Sequence, residues 1–196
     1  MIIDRRNFIR KTSLSTAALA TTPLISQYDT SLDQPTAPSG GTYMGGYAAP
    51  KLTNISAAFI GLGSRGGDHL NLFAGLQGTE VVALSDLYQD SVKEKLEGFK
   101  QIANSSQYEN TAAYWGDENK WKSMLREVKP DVVFICTNWN NHAPMATESM
   151  RQGAHAFVEV PLAVTLKDLW EIVGISERTQ KPVSYTHLTL PTNREV

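Results

Sequence analysis

An α/β fold built on a doubly wound parallel sheet is what the sequence predicts, and three observations predict it. Short apolar runs alternate with amphipathic stretches from Leu52 to Pro182, the written form of repeated β-α units. A glycine-rich turn, Gly61-Leu62-Gly63-Ser64-Arg65-Gly66, directly ends the first apolar run and opens an amphipathic stretch. An aspartate, Asp86, closes the second run twenty residues after Gly66.

Taken in chain order, the first segment, residues 1–27, carries Asp4-Arg5-Arg6-Asn7-Phe8-Ile9-Arg10-Lys11 before a weakly apolar, Ala- and Thr-rich stretch from Leu14 to Ile25. Paired arginines followed by apolar residues resemble a twin-arginine export signal, with a basic tail as the other reading. Residues 28–51 gather prolines and glycines among few aliphatics and read as a flexible spacer. Strands are then expected at Ile55 to Leu62, Glu80 to Ser85, Asp131 to Cys136 and His155 to Val160, with a weaker one at Thr111 to Tyr114. Val92, Leu96, Phe99 and Ala103 share one helix face by their spacing. Thr165 with Asp168 forms a capping box ahead of Leu166, Leu169, Trp170 and Val173.

After Pro182 the pattern fails. Val183 to Thr192 is too poor in apolar residues for a buried parallel strand. Ser184-Tyr185-Thr186-His187-Leu188-Thr189-Leu190-Pro191-Thr192 also matches a one-frame translation of a transposase sequencing adapter. The expectation is a sheet that is incomplete at its C-terminal end, with residues 52–182 forming the nucleotide-binding domain and 183–196 a non-native tail.

Composition narrows the function. In 196 residues there are 18 Lys and Arg against 20 Asp and Glu, and the basic leader leaves the body acidic, which argues against nucleic acid or an anionic membrane as partner. No run approaches the ~18 apolar residues of a spanning helix, so no stable membrane anchor is expected. The single cysteine, Cys136, excludes an internal disulfide and a zinc site on paired cysteines, and its apolar setting reads as a core thiol. No metal site is expected.

The chemistry concentrates at strand ends. In the glycine turn, Gly61 permits the tight bend, Gly63 lets backbone approach a pyrophosphate and Gly66 lets helix pack on strand, leaving the first amides aimed at phosphate. Asp86 can accept from both ribose hydroxyls and would repel a 2′-phosphate, so NAD is the expected cofactor. Asn138-Trp139-Asn140-Asn141-His142 follows the third strong run as a loop, with Pro144 in the first turn of the next helix. Trp139 offers a flat wall, and Asn140, Asn141 and His142 offer polar contacts; a helix-capping role for His142 stands equally open. Glu159-Val160-Pro161 closes the next run, where Glu159 reads either as a cofactor contact or as a solvated strand-end carboxylate. His69 reads as a helix-face residue.

These segments, Ala57 to Asp86, Thr137 to His142 and Phe157 to Ala163, resemble the nucleotide-binding domain of the Gfo/Idh/MocA oxidoreductases, sugar-acting enzymes with a tightly held nicotinamide cofactor. Their strand-end signature is Glu-Lys-Pro, whose lysine assists proton transfer; here Val160 stands in its place, and a valine carries no proton. The Glu-Val pair, the aromatic loop ending in His142 and the leader are similar to the branch classed as glycoside hydrolase family 109. The resemblance implies that Ser64, Arg65, Asp86, Trp139 to His142, Glu159 and Val160 contact NAD. It also implies a redox-neutral N-acetylgalactosaminidase cycle, in which hydride leaves and returns to the sugar's C3 around elimination of the glycosidic oxygen and addition of water. That scheme departs from the two-carboxylate glycosidases. Catalytic and sugar-binding residues would lie in a second domain absent from this chain, which alone is expected to be inactive. The expected partners are a carbohydrate substrate and the twin-arginine export machinery, the location periplasmic, and oligomerisation of the complete protein is left open. An exported sugar dehydrogenase and a non-catalytic dinucleotide-binding module are the alternatives.

Overall fold

The computed structural model describes residues 42, 44, 47–102 and 109–185, so the leader, most of the spacer, Ala103 and the tail from Thr186 onward lie outside the described residues. Of the spacer, residues 47–51 carry neither helix nor strand.

Six strands form one parallel sheet: β1 (Ile55–Ile60), β2 (Thr79–Ser85), β3 (Ala112–Tyr114), β4 (Val132–Ile135), β5 (His155–Val158) and β6 (Val183–Tyr185). Their spatial order is β3-β2-β1-β4-β5-β6, so the winding reverses between β1 and β4, the position where open α/β sheets bind ligands. Between the strands run α1 (Ser64–Ala74), α2 (Gln89–Ile102), α3 (Lys120–Val128), α4 (Trp139–Arg151) and α5 (Leu166–Thr179).

The period-2 geometry of β1 sends alternate side chains into two separate cores. Ala57 and Phe59 join Leu70, Phe73, Val92 and Phe99 under α1 and α2. Ala58 and Ile60 join Met124, Leu125, Ala146, Met150 and Ile172 under α3, α4 and α5. Phe59 of β1 stacks on Phe134 of β4 at 4.7 Å, and Phe157 of β5 continues the row at 4.8 Å from Phe134. At the opposite end of the strands, Asp131 Oδ2 accepts the Ser56 N–H at 2.9 Å and the Ser56 hydroxyl at 2.6 Å, clasping β1 to β4.

Several expectations are corrected. The sheet does not stop at β5: Val183, Ser184 and Tyr185 pair in parallel with Ala156, Phe157 and Val158. A parallel ladder is made by main-chain groups, and an edge strand does not need the continuous apolar run of a central one; Pro182, without an N–H, sits just before the paired residues. The helix after β4 begins at Trp139 rather than near Pro144, because Asn138 caps it by accepting the Asn141 N–H at 3.2 Å. Pro144 then stands one turn inside, where it lacks the N–H that would bond the Asn140 carbonyl. In α5 the cap is as read, with Thr165 Oγ1 accepting the Asp168 N–H at 3.1 Å. Its buried face, however, is Ile172 and Ile175, whereas Leu166 and Leu169 are exposed.

Candidate functional site

The carboxyl ends of β1, β2 and β4 open into a cleft of about 740 Å³. Gly61 and Gly63 form its floor, Asp86 to Tyr88 one wall, Thr137 with Asn138 and Asn140 the other, and Asn119, Trp121 and Lys122 of the β3–α3 region its outer edge.

Each glycine of the turn answers a separate steric demand. Gly61 has φ +86°, and a Cβ there would stand 2.5 Å from the Cys136 carbonyl oxygen, so the end of β1 can run this close to β4 only without a side chain. At Gly66 a Cβ would stand 1.9 Å from the Gly61 carbonyl oxygen, so α1 can fold back onto the turn. A Cβ on Gly63, by contrast, would meet no atom within 4 Å. Its bareness serves nothing inside the chain and suits a group arriving from outside. Gly63 is also the N-cap of α1, a residue with no side chain to occupy the first-turn amides. An open, uncapped helix N-terminus at the floor of a cleft fits a pyrophosphate.

Asp86 is built into this turn. Its Oδ2 accepts the Leu62 N–H at 2.7 Å and its Oδ1 the Tyr88 N–H at 3.0 Å, so the carboxylate ties the end of β2 to the glycine turn. Each oxygen keeps a further lone pair, enough to accept from the two hydroxyls of a ribose placed over the floor. The residues present therefore fit NAD: amides for the diphosphate and an anchored carboxylate for the ribose.

Of the residues singled out in the sequence, Gly61, Gly63, Asp86, Asn140 and Asn141 line the cleft. Ser64, Arg65 and Gly66 are the first turn of α1 beside it. Trp139 is 64% exposed at the start of α4. His142 does not line the cleft and does not cap α4. It is buried, with Nδ1 2.7 Å from the Pro161 carbonyl oxygen and Nε2 3.0 Å from that of Thr137, joining the segments that follow β4 and β5. Its value in the sequence reading came from its neighbours in the chain, whereas its helical position turns it inward.

Glu159 is not a solvated strand end. Its Oε1 meets Arg65 Nη2 at 3.0 Å and His69 Nε2 at 2.6 Å, which brings the end of β5 onto α1. Val160 beside it is 51% exposed. His69 thus has a specific partner ninety residues away that sequence spacing concealed.

Cys136 is the remaining correction, since it is only half-buried and lines the cleft instead of the core. Burial first, and the nearby Glu159 carboxylate second, push its thiol up to about 12, with Arg65 opposing. The thiol is therefore neutral near pH 7. Because an ordinary thiol ionises near ~8.5, alkylation by iodoacetamide at pH 8 is expected to run roughly a thousandfold slower than in the unfolded chain. The folded-state rate should still be climbing about tenfold per pH unit above pH 9, where the unfolded chain's rate has levelled off. Labelling followed by mass spectrometry checks this; equal rates in folded and unfolded protein would show the thiol to be free.

Comparisons with known proteins agree with this geometry. The Gfo/Idh/MocA family model, described as an oxidoreductase family with an NAD-binding Rossmann fold, matches residues 55–187. Glycosyl hydrolase family 109 protein 2 of Akkermansia muciniphila is 46% identical over 144 residues, covering 74% of this chain and 30% of its own length. An alpha-N-acetylgalactosaminidase of Shewanella oneidensis is 37% identical over 179 residues, covering 91% of this chain and 38% of its own. The chain thus spans between about three tenths and two fifths of the curated relatives it matches. Among solved structures, apo scyllo-inositol dehydrogenase from Lactobacillus casei superposes with a TM-score of 0.57 at 16% identity, over 68% of this chain and 36% of that one, a likeness of fold.

Proposed function

The chain belongs to the Gfo/Idh/MocA oxidoreductase family, with an NAD-binding Rossmann domain, and from that premise we propose that it is the cofactor-holding portion of an exported NAD-dependent glycosidase acting on N-acetylgalactosaminides. The observation that carries the reading is Val160. It presents an aliphatic, half-exposed side chain at the end of β5, where dehydrogenases of this family are expected to present a lysine. An apolar group at that point cannot pass a proton to or from a sugar hydroxyl, so proton transfer falls to some other group. The name of the Shewanella oneidensis relative supports the substrate class.

Within this reading, bound NAD supplies reversible hydride acceptance, so that oxidation and re-reduction of the sugar leave no net redox change. What the chain's own residues do is hold and exclude. The amides opening α1 bind the diphosphate, Asp86 orients the ribose and rejects a 2′-phosphate, and Asn140 and Asn141 border the cleft wall. The paired Arg5 and Arg6 support delivery to the periplasm by the twin-arginine route, which carries folded proteins. A cofactor that returns to its starting state each cycle needs no exchange with a free pool there.

The test is to incubate the whole protein with an aryl α-N-acetylgalactosaminide and follow both aglycone and NADH. Aglycone release without net NADH is expected. Stoichiometric NADH with the glycoside intact would instead make it an exported sugar dehydrogenase, and NAD retention with no turnover of any sugar would leave a binding module.

A further inference from the structure

We propose that His69 is a positioning residue for the cofactor cleft, acting through Glu159 on Arg65, an inference that rests on Arg65 and Glu159 lying against bound NAD. Arg65 and His69 stand four residues apart and so share the face of α1 that meets the end of β5. Both converge on one atom. Glu159 Oε1 lies 3.2 Å from Arg65 Nε, 3.0 Å from Arg65 Nη2 and 2.6 Å from His69 Nε2, while Oε2 accepts the Val160 N–H at 3.2 Å.

The two cation-capable partners differ in what water does to them. The Arg65 side chain is 62% exposed and also reaches Asp68 at 3.9 Å, so its attraction to Glu159 is screened. The side chains of His69 and Glu159 are each 13% exposed, and the imidazole ring packs 5.4 Å from Phe157 and 5.9 Å from Phe134. In that apolar setting the short Nε2–H donation is the bond that decides where the carboxylate sits. His69 and Glu159 form the fixed half of a bracket, and Arg65 is the exposed half that it holds at the first turn of α1, beside the phosphate floor. A histidine serving only as helix surface would turn its ring to solvent; this one faces away from it.

The test compares NAD affinity and melting in the full chain for His69→Leu, His69→Gln, Glu159→Gln and the His69→Leu/Glu159→Gln double variant. Leucine suits the surround of Phe134 and Phe157, so the chain should fold with only a modest fall in melting temperature while the NAD dissociation constant rises about tenfold, the size of one charge-assisted hydrogen bond. Glutamine, whose amide nitrogen reaches nearly where Nε2 does, should restore most of the affinity. Once Glu159 is already Gln, adding His69→Leu should cost little more. The proposal is overturned if His69→Leu binds NAD like the parent, if His69→Gln is as weak as Glu159→Gln, or if the His69 and Glu159 effects simply add. A parent that binds no NAD would overturn the reading of the cleft itself. Should the leucine variant fail to fold, the glutamine variant decides: parental affinity supports the bracket, and affinity as weak as Glu159→Gln ends it.

Discussion

A Gly66→Ala chain is expected to lose NAD binding and to melt well below the parent. The new Cβ would need to occupy a point 1.9 Å from the Gly61 carbonyl oxygen, and that neighbour is main chain rather than a side chain able to swing away. Either the first turn of α1 lifts from the strand end or the glycine turn opens, and both displace the amides that face the cleft. Overpacking of this kind costs about 1–3 kcal/mol and occasionally more. For a domain of this size that is a fall of roughly 3 to 10 °C in melting temperature. The contrast variant is Gly63→Ala, whose Cβ meets nothing within 4 Å and whose φ of −63° any residue adopts. It should melt with the parent yet bind NAD poorly, because the added methyl stands where the diphosphate must come. Melting curves with and without NAD separate the two. A Gly66→Ala chain that melts and binds like the parent would mean that the turn is not the packed element described.

The second large effect is expected at Asp86. Asp86→Ala removes the ribose acceptor and also strands the Leu62 and Tyr88 amides that the carboxylate accepts at 2.7 and 3.0 Å. A hydrogen bond to a charged group is worth about 1.5–3 kcal/mol, so the NAD dissociation constant should rise roughly 10- to 150-fold. Asp86→Asn keeps one oxygen for Leu62 but sets an amide NH2 against the Tyr88 N–H and the second hydroxyl. It should lose less affinity for NAD and narrow the gap to NADP, since the charge that repels a 2′-phosphate is gone. Titration of both cofactors against the three chains decides it. An alanine variant within twofold of the parent would remove Asp86 from the site.

The sheet and the cofactor floor were legible because both rest on short-range rules. Alternation places β1 between two cores, and the glycine spacing places Gly61, Gly63 and Gly66 where close approach, openness and close approach are needed in turn. Asp86 was readable for the same reason, as the residue that ends the neighbouring strand. What escaped reading depends on partners distant in the chain. Nothing near His69 in sequence announces Glu159, ninety residues away. The capping role of Asn138 competed with Pro144 as the signal for the start of α4, and the cap prevailed because a proline is tolerated one turn inside when the first turn is already satisfied. Leu166 and Leu169 follow a helical spacing as well as Ile172 and Ile175 do, so the pattern could not tell which face of α5 meets the sheet. The three residues of β6 carry too little apolar weight to be seen at all, since their pairing uses main-chain groups that every sequence shares.

The clasp between Ser56 and Asp131 joins residues 75 positions apart, and it has a consequence for the order in which the chain becomes competent. On a ribosome, the glycine turn emerges early, together with the strand that carries Asp86. The carbonyl of Cys136 that closes against Gly61, and the Asn138 to Asn141 wall, emerge only after 50 to 55 further residues. Until those residues are made, nothing can close the cleft from the β4 side. During synthesis the nascent chain therefore passes through an interval in which the phosphate floor exists without its opposite wall. A cofactor added in that interval should be held weakly, and firm capture should begin when β4 docks beside β1.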